Sequence, residues 1–424
     1  MYTYLYDLAI RVFVLITHVA AFFDPKAKLW IAGRRHWRSD LSKAAFAPLE
    51  QGRTFWIHAA SLGEFEQGRP VIEAVREQFP GWRIVLTFFS PSGFEIRKNY
   101  PHADLVCYLP ADTRRNAADF LDLIRPDVAV FVKYEFWANY LFELKKRGVP
   151  VLLVSALFRQ TQPFFQWYGA FWRRMLGCFT HFFVQNEASA GMLQRIGFQN
   201  VSIAGDTRVD RVLSIAQQAP ENAVLDAFQK SPVTGESIPL LIAGSTWSPD
   251  EAILTEVMRS DAFEEMKWVF APHDPSPGSV ERLLAACPSE KPGEVLTYSQ
   301  ANTADAGQAK VLIIDNVGLL NTLYRYGHIA YIGGGLGKGI HNTLEPAAFG
   351  LPVIFGPKYE RFEEARQFVA RGGAFVVRNA DELSAVLLQL QDPGFYKNAS
   401  RAVRKYLEEN RGATEQVIAY LRKP

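Results

Sequence analysis

The chain has 424 residues, 48% hydrophobic, 13% aromatic and 21% charged, with 46 Lys and Arg against 44 Asp and Glu for a formal net charge of +2. At about 100 to 200 residues per domain the length predicts two or three domains, the composition excludes a disordered or low-complexity chain, and the balanced charge gives no support to a nucleic-acid partner. Cys107, Cys178 and Cys287 are odd in number and far apart, which argues against a disulfide framework or a zinc site and for a reducing cytoplasm.

Residues 2–23 are mostly apolar and approach the length of a bilayer span, but Asp7 and Arg11 interrupt them. No basic leader or cleavage site marks a signal peptide, so the segment is expected to stay on the mature protein. Lys26, Lys28, Arg34, Arg35, Arg38 and Lys43 follow, opposed by Asp24 and Asp40. An apolar run followed by cations suits the anionic face of a cytoplasmic membrane leaflet. Residues 1–45 therefore read as a membrane-associating segment, with a true span or an amphipathic helix packed on the protein body as the alternatives.

From residue 54, short β-branched runs alternate with helical patterns, the signature of parallel sheets with crossover helices. Strands are expected at 55–59, 84–88, 128–132, 151–155 and 182–185, then at 240–243, 268–271, 311–314, 329–332 and 353–355. The fold class is α/β, two Rossmann-like domains facing across a cleft, at 46–208 and 239–424, with a linker at 209–238 and a last helix that could return to the first domain. Ligands of such sheets bind beyond the carboxyl ends of the strands, so the loops there carry the candidates.

After the first strand, HAASLGE places Ser61, Gly63 and Glu64 at a helix start. Glu64 is either a general base for an acceptor hydroxyl or an ordinary first-turn acid. After the strand at 128–132, Lys133 and Glu135 suit a sugar acid, beside Phe136 and Trp137, which equally suit the core. In the second half, Ser245 and Thr246 offer hydroxyls to a phosphate, Asp250 and Glu251 look like helix-start acids, and His273 reads as a phosphate or base contact or as a satisfied structural histidine. The densest signal is GGGLGKGIHNTLEPAAFG from Gly333. Its glycines allow close backbone approach, Asn342 can cap a helix opening near 341–343, and free amides there would bind an anion. Gly337 and Lys338 lie in that loop, and Glu345 either complements the helix dipole or accepts from a ribose diol. Neither a Walker loop nor a clean dinucleotide fingerprint fits, and nothing calls for a metal or cofactor.

With these residues assembled, the sequence resembles the 3-deoxy-D-manno-octulosonic acid (Kdo) transferases along nearly its whole length. HAASLGE at 58–64, QNEASAGMLQRIG at 185–197, AGDTRVDRV at 204–212 and GGGLGKGIHNTLEPAAFGLPVIFGP at 333–357 carry the likeness. The resemblance implies a GT-B glycosyltransferase that moves Kdo from CMP-Kdo, held by the C-terminal domain, to a lipid A precursor reached from the N-terminal domain. It also implies inversion without a metal, and it maps the catalytic acid of the family onto Glu64. The chain departs from the family pattern at 133–138 and at 272–274, where Pro-His-Asp replaces Pro-Arg-His, so Lys338 or His273 would take over the donor contact of that Arg. Competing readings are a UDP-sugar glycosyltransferase or epimerase and a catalytically silent membrane scaffold.

Overall fold

The computed structural model describes residues 2–43, 52–231 and 234–422, and the chain divides into two units, Met1–Asp210 with Asn410–Pro424, and Arg211–Glu409. The expected boundary at 45/46 lies outside the described residues. The first unit holds β1 (Thr54–Ala59), β2 (Arg83–Phe88), β3 (Leu105–Tyr108), β4 (Val128–Val132), β5 (Val151–Ala156), β6 (His181–Val184) and β7 (Val201–Ile203). They form a parallel sheet in the order β3-β2-β1-β4-β5-β6-β7. Alternate residues serve opposite faces: Trp56, Ala129 and Phe131 enter one core, and Phe55, Ile57, Val128, Val130 and Val132 the other. A sheet covered on both faces needs such continuous apolar strands.

The second unit holds β8 (Leu240–Thr246), β9 (Lys267–Pro272), β10 (Val295–Thr297), β11 (Val311–Ile313), β12 (Ile329–Ile332), β13 (Val353–Phe355) and β14 (Ala374–Val376). Its parallel sheet runs β10-β11-β9-β8-β12-β13-β14. Each sheet reverses direction at one place, between β1 and β4 and between β8 and β12. Such a switch point opens a crevice beyond the strand ends.

Four strands were not expected: β3, β7, β10 and β14. They are the four edges of the two sheets, and each has only partial burial. An edge strand pairs on one side only, so its residues need not form the unbroken apolar run that marks a central strand. Residues 209–238 carry most of the helix Thr207–Gln218 and all of Ala223–Gln229. They pack within the second unit, where the Asn222 amide and side chain donate to Tyr326 and Tyr298 at 2.6 Å each. The final helix, Ala413–Leu421, adds Val417, Ile418 and Leu421 to a core of the first unit.

Ahead of β1 stand α1 (Tyr2–Ala20), α2 (Pro25–Ala32) and α3 (Trp37–Lys43). By length and composition α1 is long and apolar enough to cross a membrane. It is nevertheless docked along the first unit. The Tyr6 hydroxyl donates to Asp112 at 2.6 Å, the Arg114 amide donates to Asp7 at 3.2 Å, and Phe13 packs on Trp30 and Phe89. Part of the basic cluster also has internal duties. Arg34 is buried and donates to the carbonyls of Leu109, Trp30 and Phe89, and Arg38 pairs with Asp119 at 2.7 Å. Lys26, Lys28 and Arg35 remain exposed.

Candidate active site

In the first unit the switch point collects the expected residues of both loops. α4 (Leu62–Gln78) begins after β1 with Ser61 as its N-cap, and Glu64 turns back to accept the Ser61 amide at 3.2 Å. Glu64 is half-buried. Its carboxyl is pushed up to about 8: burial is the largest cause, the charge of Glu135 adds to it, and the Ala60 and Ser61 amides and the Lys133 ammonium oppose it. So Ser61, Glu64, Lys133 and Glu135 share one electrostatic neighbourhood. Gly63 is exposed, and a Cβ there would meet nothing nearer than the Ser61 hydroxyl at 4.0 Å. Lys133 adopts φ 62°. A non-glycine in the left-handed region is costly and persists where the surroundings over-determine it.

Two more residues complete this neighbourhood: His58, which the sequence reading left aside, and Trp137, which it weighed between the site and the core. His58, on β1 and fully buried, places Nε2 3.1 Å from Glu135 Oε2 and Nδ1 2.9 Å from the Thr87 hydroxyl. Trp137 Nε1 donates to the same Glu135 oxygen at 2.6 Å, so Trp137 serves the polar cluster as well as packing on Phe89. A histidine inside an otherwise apolar strand was the available signal.

In the second unit a cavity of about 350 Å³ opens at the switch point, lined among others by Ser245, His273, Asn321, His341, Asn342 and Glu345. Ser245, the next-to-last residue of β8, adopts φ 53°. Three rings form a stack at its edge: Trp247 lies on His273 at 4.5 Å and His273 on His341 at 4.5 Å. Trp247 Nε1, which can only donate, reaches His341 Nε2 at 3.1 Å, so that nitrogen is an acceptor and the imidazole is neutral. Burial, and then His273, hold the His341 pKa below its ordinary value.

Several expectations in this unit are corrected. The helix after the glycine loop is Leu344–Ala348, only five residues long, with Thr343 as N-cap at the end of the expected opening near 341–343. Asn342 accepts the Leu344 amide at 3.0 Å and donates to Glu345 at 2.9 Å. In the glycine loop, Gly333 donates to Gly244, Gly337 and Gly339 to the Gly334 carbonyl, and Gly334 to Asp250. The glycines are needed for backbone proximity, since a Cβ on Gly333 would lie 2.2 Å from the Ser245 carbonyl oxygen and one on Gly335 would lie 2.6 Å from the Gly356 nitrogen. Asp250 is no ordinary helix-start acid. Buried, it accepts from the amides of Trp247 and Gly334 and from the Tyr331 hydroxyl, tying the loop after β8 to the loop after β12. Thr246 is buried and donates to Glu251 at 3.1 Å. Gly337 and Lys338 are exposed and do not line the cavity, whereas His273 does.

The family described as 3-deoxy-D-manno-octulosonic-acid transferase (kdotransferase) matches residues 35–211. A 3-deoxy-D-manno-octulosonic acid transferase of Haemophilus influenzae is 26% identical over 89% of this chain and 88% of its own length, and that of Bordetella pertussis is 26% identical over 93% and 95%. Among solved structures, the UDP-GlcNAc 2-epimerase of Neisseria meningitidis bound to UDP-GlcNAc superposes with a TM-score of 0.59 at 15% identity, covering 88% of this chain and all of the other. CalG4, the calicheamicin glycosyltransferase, gives 0.56 at 12% identity, covering 88% and 98%. At such identities these two likenesses show the fold alone, the GT-B arrangement of paired Rossmann-like sheets. The chain is thus similar to the Kdo transferases, through the family match over residues 35–211 and through relatives 25–26% identical along most of its length.

Proposed function

We propose that the protein transfers Kdo from CMP-Kdo to the lipid A precursor, with inversion at the Kdo anomeric carbon, on the cytoplasmic side of the inner membrane. The observation that carries this reading is Glu64, a half-buried carboxyl at a sheet switch point whose proton affinity is raised into the working range of a general base. An acceptor hydroxyl oxygen attacks the anomeric carbon and its proton passes to Glu64. The bond from that carbon to the phosphate oxygen breaks, and CMP leaves with the electron pair. Lys133, whose ammonium acts on Glu64, would contact the acceptor, and Ser61, Gly63 and Glu135 would shape its seat.

The donor is assigned to the cavity of the second unit. Glu345 and Asn342 would bind the ribose, and Ser245 and His273 the phosphate or the Kdo carboxylate. His273 is favoured over Lys338 for the contact made by Arg in other members, because only His273 lines the cavity. Membrane contact is assigned to α1. Its outward residues Leu5, Leu8, Val12, Leu15, Ile16 and Val19 form one exposed apolar stripe that ends at Phe22 and Phe23, 85% and 88% exposed. A docked helix with such a stripe supports an in-plane attachment instead of a span.

Incubating the purified full chain with CMP-Kdo and tetra-acylated lipid A precursor, and weighing the product by mass spectrometry, tests the reading. A product heavier by one or more Kdo residues is expected. Transfer from a UDP-sugar in place of CMP-Kdo would overturn it.

A further inference from the structure

We infer that His58 is a positioning residue for the transfer: with its tautomer set by Thr87, it holds Glu135 as the fixed carboxylate beside which Glu64 takes up the acceptor proton. The inference rests on the reading of Glu64 as general base.

The hydrogen-bond network around His58 favours one tautomer. Trp56 Nε1 is a donor only and reaches the Thr87 hydroxyl oxygen at 2.9 Å. Thr87 must therefore direct its own proton elsewhere. His58 Nδ1 lies at 2.9 Å, and the alternative acceptor, the Ile57 carbonyl, lies at 3.5 Å, the limit of a hydrogen bond. Trp137 Nε1 also lies 3.1 Å from His58 Nε2, but its shorter bond, 2.6 Å, goes to Glu135 Oε2; an unprotonated Nε2 would face that carboxylate oxygen lone pair to lone pair at 3.1 Å, so Nδ1 is the acceptor and Nε2 carries the hydrogen. Two N–H groups, His58 Nε2–H at 3.1 Å and Trp137 Nε1–H at 2.6 Å, then converge on Glu135 Oε2. All of this is secluded: His58 and Thr87 are 0% exposed and Glu135 is 8% exposed. Phe131 packs on the imidazole edge to face, with ring centroids 5.8 Å apart.

The choice of donor matters to the chemistry. An arginine or lysine in this place would cancel the charge of Glu135, while a neutral imidazole fixes the carboxylate and leaves its charge to act on its surroundings. Glu64 faces that charge from the start of α4. The other groups acting on Glu64 are Lys133, from the same loop as Glu135, and the Ala60 and Ser61 amides of its own turn. Two carboxyls held close together bind one proton more tightly than either would alone. The arrangement gives Glu64 the proton affinity that a base for an alcohol requires.

The test uses the full-length protein and two readouts: the titration of Glu64 followed by carboxyl ¹³C NMR, assigned with Glu64→Gln, and the pH profile of the single-turnover rate. In His58→Leu the Glu64 midpoint and the rising limb of the rate should both move about one unit toward acid, with the plateau rate about tenfold lower or more. His58→Gln, whose amide can place an N–H where Nε2–H stood, should restore both. Thr87→Val, which touches neither carboxylate, should shift the midpoint part of the way, and it carries the test if His58→Leu does not fold. An unmoved Glu64 midpoint in His58→Leu and Thr87→Val would reduce His58 to a packing residue and overturn the inference. Full turnover in Glu64→Gln would instead defeat the base reading, and the NMR midpoint would still decide what His58 does.

Discussion

Glu64 and Glu345 are both first-turn helix acids, and at the residue scale their surroundings give them different duties. Burial and Glu135 push the Glu64 carboxyl up to about 8, so the ionised, proton-accepting form is the minor one at neutral pH and grows through pH 8. The rate should accordingly rise about tenfold per unit below that value and level off above it. The sign for stability is opposite. A carboxyl that binds its proton more tightly when folded favours the folded state below its ordinary pKa, and that contribution is lost as pH rises toward 8. Glu64→Gln keeps the shape without the basicity, and single-turnover rates should fall by about 100- to 10,000-fold with CMP affinity unchanged. Retained turnover would move the base to another residue, Glu135 first. Glu345 instead takes a hydrogen bond from Asn342 at the cavity wall. Glu345→Ala should weaken CMP binding in calorimetry by about ten to a hundredfold, the cost of about 1 to 3 kcal/mol for unpaired ribose hydroxyls. Unchanged affinity would take Glu345 out of the donor site.

At the scale of single elements, α1 shows how sequence periodicity and tertiary position combine. A surface helix normally turns its apolar stripe toward the protein. In α1 the inward side docks through Tyr6, Asp7 and Phe13, and the outward side presents Leu8 and Ile16, each more than half exposed. Replacing both by Glu removes two apolar side chains worth about 1.5 to 3 kcal/mol each and adds repulsion from anionic lipid. Cosedimentation with anionic vesicles should drop more than tenfold while thermal stability stays close to that of the parent. Equal sedimentation of parent and variant would place the lipid contact elsewhere. The glycine loop teaches a different lesson. Its composition marks a ligand site, yet Gly333 and Gly335 are required first by backbone packing at 2.2 and 2.6 Å, so a glycine-rich turn by itself does not distinguish the two demands.

At the scale of the whole molecule, α3 ties the N-terminal segment to the first unit. α3 contributes Trp37 and Leu41 to a core of the first unit, with Trp37 against Phe120. Deleting residues 2–20, which removes the Tyr6 bond to buried Asp112, should lower the melting temperature by a few degrees, about 2 to 4 °C per kcal/mol lost, whereas deleting 2–43 should lower it by about 10 °C more, since losing a buried Trp alone costs about 3 to 5 kcal/mol. Melting curves of the two deletions that coincide would show that α2 and α3 add nothing to the core. The sequence alone determined the α/β class, the ten strands buried on both sides and the loops that carry Glu64, Lys133, Glu135, His273 and Glu345, because continuous apolar runs and strand-end polar clusters are local patterns. The tertiary structure decided the rest. Edge strands pair on one side only and leave a weak pattern, which hid β3, β7, β10 and β14. Thr246, Asp250 and Arg34 each look available in the sequence, and partners distant in the chain or in the next turn bury and occupy them. His58, Thr87 and Glu135 belong to different strands and loops, and only the pairing of β1 with β2 and β4 brings them within hydrogen-bond reach. Hydrogen-bond partnership and burial are set by distance in space, and a sequence records distance along the chain.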